Sequence, residues 1–117
     1  MTEQKANELF QKWVKILQLE SWNIRFQWCV RERDMRARDS LGCADFLHES
    51  KQAIIQMLDP VDFDNDLFTY DYEKTLVHEL LHLKFASLDS SGDPLRDKLT
   101  HQMIDDLAKS FVAAVRG

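Results

Sequence analysis

The sequence predicts an α+β fold: a small three-stranded sheet packed against helices, in the order α-β-β-β-α-α, as one domain over residues 1–117. Three observations predict it. Residues 2–19 repeat their apolar positions at helical spacing, residues 22–58 hold three short runs of strand character, and the chain from residue 70 onward returns to helical spacing in two segments separated by Gly92 and Pro94. Strands grouped together, with helices before and after them, are the pattern of a segregated α+β domain.

The first helix is expected over residues 2–19, where Leu9, Phe10, Trp13, Val14, Ile16 and Leu17 form one apolar stripe at i, i+3, i+4 and i+7. Thr2 is placed to cap it. In "WNIRFQWCV", Trp22, Ile24, Phe26 and Trp28 alternate with Asn23, Arg25 and Gln27, the period-two pattern of a half-buried strand. "LGCADFL" and "QAIIQML" supply the second and third strands, joined as a hairpin through "HESK", and Asp59-Pro60 ends the third. A helix is expected over residues 70–88, with Asp71 and Glu73 suiting the positive end of its dipole. The last helix is expected over residues 95–115, with Ile104, Leu107, Ala108, Phe111, Val112 and Val115 as its buried stripe.

Composition narrows the function classes. Hydrophobic residues are 44% and charged residues 30% of the chain, ordinary values for a globular domain. No apolar run reaches the roughly 20 residues of a membrane span, and the start "MTEQKANELF" is polar, so the expected location is the cytoplasm, with no membrane partner. A formal net charge of −5 argues against a nucleic-acid partner. The arginines of "VRERDMRARDS" are interleaved with acids and read as a solvated loop. Cys29 and Cys43 lack paired-ligand spacing and read as small buried strand residues.

Within the segment "TLVHELLHLKF", His78 and His82 stand four residues apart, with Glu79 directly after the first. On a helix, residues four apart are offset by about 40° and by about 6 Å along the axis, so both imidazoles project from one face. Two imidazole nitrogens at that spacing reach a single Zn²⁺. Glu79 lies about 100° round the helix, off the ligand pair but within reach of a water at the metal, where a general base belongs. The bland alternative is two histidines at the edge of the core, hydrogen-bonded to neighbours.

"VHELLHLKF" resembles the HExxH segment of the zincin metallopeptidases. The whole chain is similar to minimal zincin domains, the small metallopeptidases of bacteria and their phages. Such domains have a backing helix, a small sheet, an active-site helix carrying HExxH, and a further helix bringing the third ligand. The resemblance implies a zinc-dependent peptidase acting on a peptide or protein substrate that it does not name.

A catalytic zinc usually has three protein ligands and an open position. The last helix offers His101, Asp105 and Asp106 in "LTHQMIDDLAKSF", while Asp89 and Asp93 sit in the connection before it. On a helical projection His101 borders the buried stripe, and Asp105 shares its face one turn on. His101 is therefore the expected third metal ligand, with Asp105 the alternative. In zincins whose third ligand on this helix is a glutamate, an aspartate four residues later bonds a motif histidine. "HQMID" is similar, with His101 replacing the glutamate, and implies that Asp105 hydrogen-bonds a ligand histidine and fixes its tautomer. The metzincin extension is absent, since Phe85 and Leu88 occupy its glycine and histidine positions.

The mechanism so implied has Glu79 as the catalytic base and one Zn²⁺ as cofactor, with Mn²⁺, Fe²⁺ and Co²⁺ also suited to nitrogen ligands. Tyr70, Tyr72, His48 and Arg96 are open candidates for an oxyanion donor, and the third strand around residues 53–57 is expected to pair with an extended substrate. "DFDNDLFTYDYE" places Asp62, Asp64, Asp66 and Glu73 at EF-hand positions but has Leu67 where the glycine belongs, so it reads as an acidic loop. The competing class is a zinc-binding interaction or regulatory module without efficient turnover. Oligomeric state is not legible in the sequence.

Overall fold

Helix α1 spans Glu3–Ile16 and opens as the sequence expects, with the Thr2 hydroxyl accepting from the Lys5 amide at 3.2 Å. It ends earlier than expected. Gln18 takes a positive φ of 56°, its amide donates to Lys15 O at 3.1 Å, and the Leu19 amide reaches back to Val14 O at 2.8 Å. That pair of bonds is a Schellman stop, formed without the usual glycine and anchored by the buried Leu19. Ala6, Phe10, Trp13, Val14 and Leu17 face the core, whereas Ile16 is exposed. The structure is a computed structural model, which describes residues 1–63, 69–87 and 92–117.

Strands β1 (Asn23–Val30), β2 (Gly42–Leu47) and β3 (Gln52–Leu58) form a mixed sheet of order β1-β3-β2, with β1 parallel and β2 antiparallel to the central β3. Ile24, Phe26 and Trp28 of β1 and Ala44 and Phe46 of β2 join Ala53, Ile55 and Met57 of β3 on the inner face, as the alternation requires. Phe10 of α1 stacks on Phe26 with ring centroids 4.4 Å apart. The expected third strand as substrate partner is corrected here: β3 is paired on both sides, and the sheet edge beside the helix of residues 72–84 belongs to β2.

The outer face carries a polar seam. Gln56 is buried, with its side-chain amide donating to Gln27 Oε1 at 2.7 Å and its carbonyl oxygen accepting from the Arg36 amide at 2.8 Å. Arg36 also pairs with Asp45 at 2.6 Å, and Arg31 makes two hydrogen bonds to Asp62, at 2.8 and 3.1 Å. All four arginines of the stretch are exposed, as the solvated-loop reading expects, although Arg31 and Arg36 also pair with Asp62 and Asp45. Cys29 and Cys43 are half-buried, not the core residues expected.

Helix α2 spans Tyr72–Lys84 and α3 spans Pro94–Arg116, so the described residues hold three α-helices and three strands, an α+β fold. Leu76, Val77, Leu80, Leu81 and Leu83 of α2 are buried, each contributing roughly 1.5–3 kcal/mol by removal from water. The side of α3 that is buried runs through Thr100, Ile104, Ala108 and Val112, while Phe111 and Val115 of the expected stripe are exposed. Among the described residues, no helix is long and apolar enough to cross a membrane.

Candidate metal centre

The apolar side of α2 fixes the rotation of the helix. With Leu76, Val77, Leu80 and Leu83 against the core, His78 and His82 come out together on the flank facing α3. The start of α2 is set by Asp71, whose carboxylate caps the Lys74 amide at 3.1 Å. Arg116, at the far end of α3, makes two hydrogen bonds to that carboxylate, at 2.8 and 2.9 Å, and donates to Glu73 at 3.1 Å. The Trp13 indole N–H reaches Glu73 at 2.7 Å. The helix carrying the motif is thus tied at its first turn to both other helices.

Helix α3 starts at Pro94, with the Asp93 side chain capping the Leu95 and Arg96 amides at 3.0 and 3.4 Å. Asp93 is therefore a structural cap and not a ligand, while Asp89 lies outside the described residues. With Thr100, Ile104 and Ala108 packed inward, His101 and Asp105 stand on the flank next to α2. His101 is exposed, yet its ring centroid lies 4.9 Å from that of His78 and 5.5 Å from that of His82.

The three histidines each present one ring nitrogen within 4.8 Å of the other two. The Nε2 atoms of His78 and His82 are 3.3 Å apart. Two nitrogens on a tetrahedral zinc, at bonds of 2.0–2.1 Å, stand about 3.3–3.4 Å apart, so this pair already has the spacing that the metal needs. His78 turns its other nitrogen, Nδ1, to Asp105 Oδ1 at 3.4 Å. That contact suits a proton on Nδ1 and leaves the Nε2 lone pair facing the centre. Burial, followed by the neighbouring His82 and His101, lowers the His78 pKa from 6.5 to about 4, which keeps this imidazole neutral. Partial burial works to raise the Asp105 pKa, but Lys109, 3.0 Å away, outweighs it and holds the carboxyl below its ordinary range.

Glu79 is buried on the other side of the motif, beside the sheet edge. A Cβ placed on Gly42 would lie 2.9 Å from Glu79 Cγ, 3.0 Å from its Oε2 and 3.0 Å from Thr75 Cγ2. Only a residue without a side chain lets β2 approach the carboxylate this closely. The sequence reading passed over Gly42, although a glycine inside a strand signals close backbone approach. It also passed over Lys74 and Thr75, which line the same cleft of about 460 Å³ with the three histidines and Glu79.

Comparison with family models, with curated proteins and with solved structures returned no match, so the chemistry of this cleft is argued from its own geometry.

The remaining candidates fall outside the centre. The Tyr70 hydroxyl donates toward Leu58 O at 2.8 Å and Leu41 O at 3.2 Å, and the Tyr72 hydroxyl donates to Trp28 O at 2.6 Å. Both phenols are strand clamps, with pKa values raised by burial. Neither His48, at the hairpin turn, nor Arg96 lines the cleft. The segment read as an acidic loop rather than an EF-hand has its two described ends engaged elsewhere, Asp62 by Arg31 and Glu73 by Trp13 and Arg116. Asp64 and Asp66 lie outside the described residues. Cys43 borders the cleft, but burial and then the nearby Glu79 raise its thiol pKa, so it offers no thiolate.

Proposed function

We propose that this chain is a zinc-dependent metallopeptidase of the zincin kind, cytoplasmic and acting on a peptide or protein substrate. One observation carries the reading: His78, His82 and His101 bring three ring nitrogens within 4.8 Å of one another beside Glu79, a buried carboxylate on the same helix as two of them. Three nitrogen ligands with room for a fourth suit a catalytic zinc rather than a structural one, which takes four protein ligands.

Zinc held by these imidazoles supplies Lewis acidity and brings water to an acidity near neutral pH. The protein's own residues do the rest. Asp105 holds the His78 ring in the tautomer that presents Nε2. Glu79 takes the proton of the attacking water and delivers it to the leaving amine. Strand β2 offers its backbone along the cleft. The Leu58 amide bonds Leu41 O at 2.9 Å, and Cys43 and Asp45 follow Leu41 in the same phase of the β3 ladder. Gly42 and Ala44 therefore turn their N–H and C=O groups away from β3. An extended peptide laid there is held beside Glu79 by main-chain hydrogen bonds, which supports a peptide substrate.

The test is Glu79→Gln in zinc-loaded protein. Elemental analysis should give the same zinc content as wild type, and peptide hydrolysis should fall roughly 10²–10⁴-fold. Equal cleavage by the variant would overturn the base assignment. Full zinc occupancy with no hydrolysis in wild type would leave the protein a zinc-binding interaction module.

A further inference from the structure

We infer that Lys74 makes this cleft selective for peptides with a carboxylate on the C-terminal side of the bond to be cut. The inference rests on the peptidase reading for the word "cut", but the binding preference that it predicts is separate from turnover.

The direction of the bound peptide follows from the fold. At its beginning β2 adjoins the start of α2, where Tyr70 clamps Leu41 O. Gly42 then meets Thr75 and Glu79. Towards its end, Phe46 packs edge-on against Trp22, 6.2 Å between centroids, close to where α1 ends. The end of α1, at Leu17 and Gln18, shares a hollow with Leu81, Lys84 and Phe85 at the end of α2. Strand β2 thus runs alongside α2 in the same sense. A peptide adding to the β2 edge in the stronger, antiparallel mode runs the opposite way. Its C-terminal part heads for the beginning of α2, where Lys74, Thr69 and Ser40 line the cleft.

Lys74 precedes His78 by four residues, about 6 Å along the helix axis, a distance of roughly two residues of extended peptide. Charge selects what goes there. The acids at this end are already matched, Asp71 by Arg116 at 2.8 Å and Asp105 by Lys109 at 3.0 Å. Lys74 is half-buried, and its charge helps hold Asp71 and Asp105 ionised, but behind Arg116 and Lys109, which bond those carboxylates directly. A half-buried ammonium whose neighbouring carboxylates are already bonded to other cations is left to recognise an anion entering the cleft. In an extended peptide, that anion is either the terminal carboxylate or an Asp or Glu side chain one or two residues past the cleaved bond.

The experiment uses short peptides in matched pairs: free acid against C-terminal amide, and Glu against Gln or Asp against Asn downstream of the cleaved bond. With zinc-loaded wild type, kcat/KM should favour the carboxylate member roughly tenfold, mostly through KM. The pair that shows the preference identifies the source of the carboxylate. Lys74→Met should abolish the preference, and Lys74→Glu should reverse it. The same pairs are measured by calorimetry on zinc-loaded Glu79→Gln protein, where binding should show the same discrimination. Equal binding of both members of every pair overturns the inference, whatever the turnover. Discrimination in binding that depends on Lys74, with no hydrolysis in wild type, keeps the inference and overturns the peptidase reading.

Discussion

Gly42 lies against Glu79 so closely that a β-carbon would sit 2.9 Å from the glutamate's Cγ. The edge strand and the proposed base therefore share one small volume. Filling it with a methyl group must move Glu79, Thr75 or β2. Gly42→Ala should lower kcat at least tenfold with zinc content unchanged, and overpacking should cost about 1–3 kcal/mol of stability. Thr75→Ser removes one of the crowded carbons, at 3.0 Å, and should restore part of that stability in the double variant. Steady-state kinetics and urea midpoints on the four proteins check both statements. Wild-type kcat in Gly42→Ala would show that the strand does not position the carboxylate.

The two candidates on α3 separate by their zinc affinities. His101 presents a ring nitrogen to the centre, whereas Asp105 reaches only the far nitrogen of His78, at 3.4 Å. Asp105→Ala should weaken zinc about 10–100-fold, as loss of a ligand's orienting partner does. His101→Ala should weaken it more and lose stoichiometric zinc at micromolar protein. Competition with a chromophoric chelator measures both. The reverse order of effects would make Asp105 the ligand. In wild type, zinc at one hundred times its Kd should stabilise the fold by about 2.7 kcal/mol, and a chelator should remove that gain.

Much of the centre was legible because the spacing of His78 and His82 has one consequence on a helix, and the apolar pattern around them fixes which way the helix turns. His101 was legible for the same reason, as the neighbour of the Ile104 stripe. The inner face of β1 followed from its alternation, and the hairpin of β2 and β3 from two short strand runs joined by a tight turn. What was not legible depends on contacts distant in sequence. The order of strands decides that β2, not β3, is the edge, and nothing local to either strand records it. The α1 stop at Gln18 is tertiary too, since the burial of Leu19 holds a non-glycine residue at φ 56°. The arginine stretch is solvated as read, but its partners Asp45, Gln56 and Asp62 were not legible because they lie 9 to 31 residues further along the chain. Among these, Gly42 had a readable sign, a glycine inside a strand.

Arg116 ties the end of the chain to the helix that carries the motif. Removing its side chain takes the guanidinium from Asp71 and Glu73 at the start of α2, but Asp71 still caps the Lys74 amide and Glu73 still accepts from Trp13. Arg116→Ala should therefore cost less than Asp71→Ala, which loses the cap as well, at about 1 kcal/mol for the cap alone. The Arg116 contribution should shrink in 1 M salt because the guanidinium is half exposed, and the cap contribution should not. Denaturant midpoints at low and high salt distinguish them. If Arg116→Ala is the costlier change at both ionic strengths, the clamp acts through something other than this ion pair.

His78 sets an acid limit on the metal-free fold. Burial, with His82 and His101 adding to it, lowers its pKa from 6.5 in a free chain to about 4. Between those values the unfolded chain holds a proton at this position that the folded chain does not, so unfolding becomes less favourable as pH rises through the window. The contribution is fully present above pH 6.5 and is lost as pH falls towards 4. Asp71, held low by Arg116, follows in stronger acid, because its contribution is present above the unfolded value of 3.8 and is lost as pH falls from there through its depressed folded pKa. Urea midpoints with chelator present, taken in steps across the window, should decline for wild type. His78→Gln, which keeps a polar side chain but no titrating ring, should decline less steeply. Parallel declines in the two proteins would mean that the acid sensitivity comes from elsewhere and that the burial of His78 contributes nothing to it.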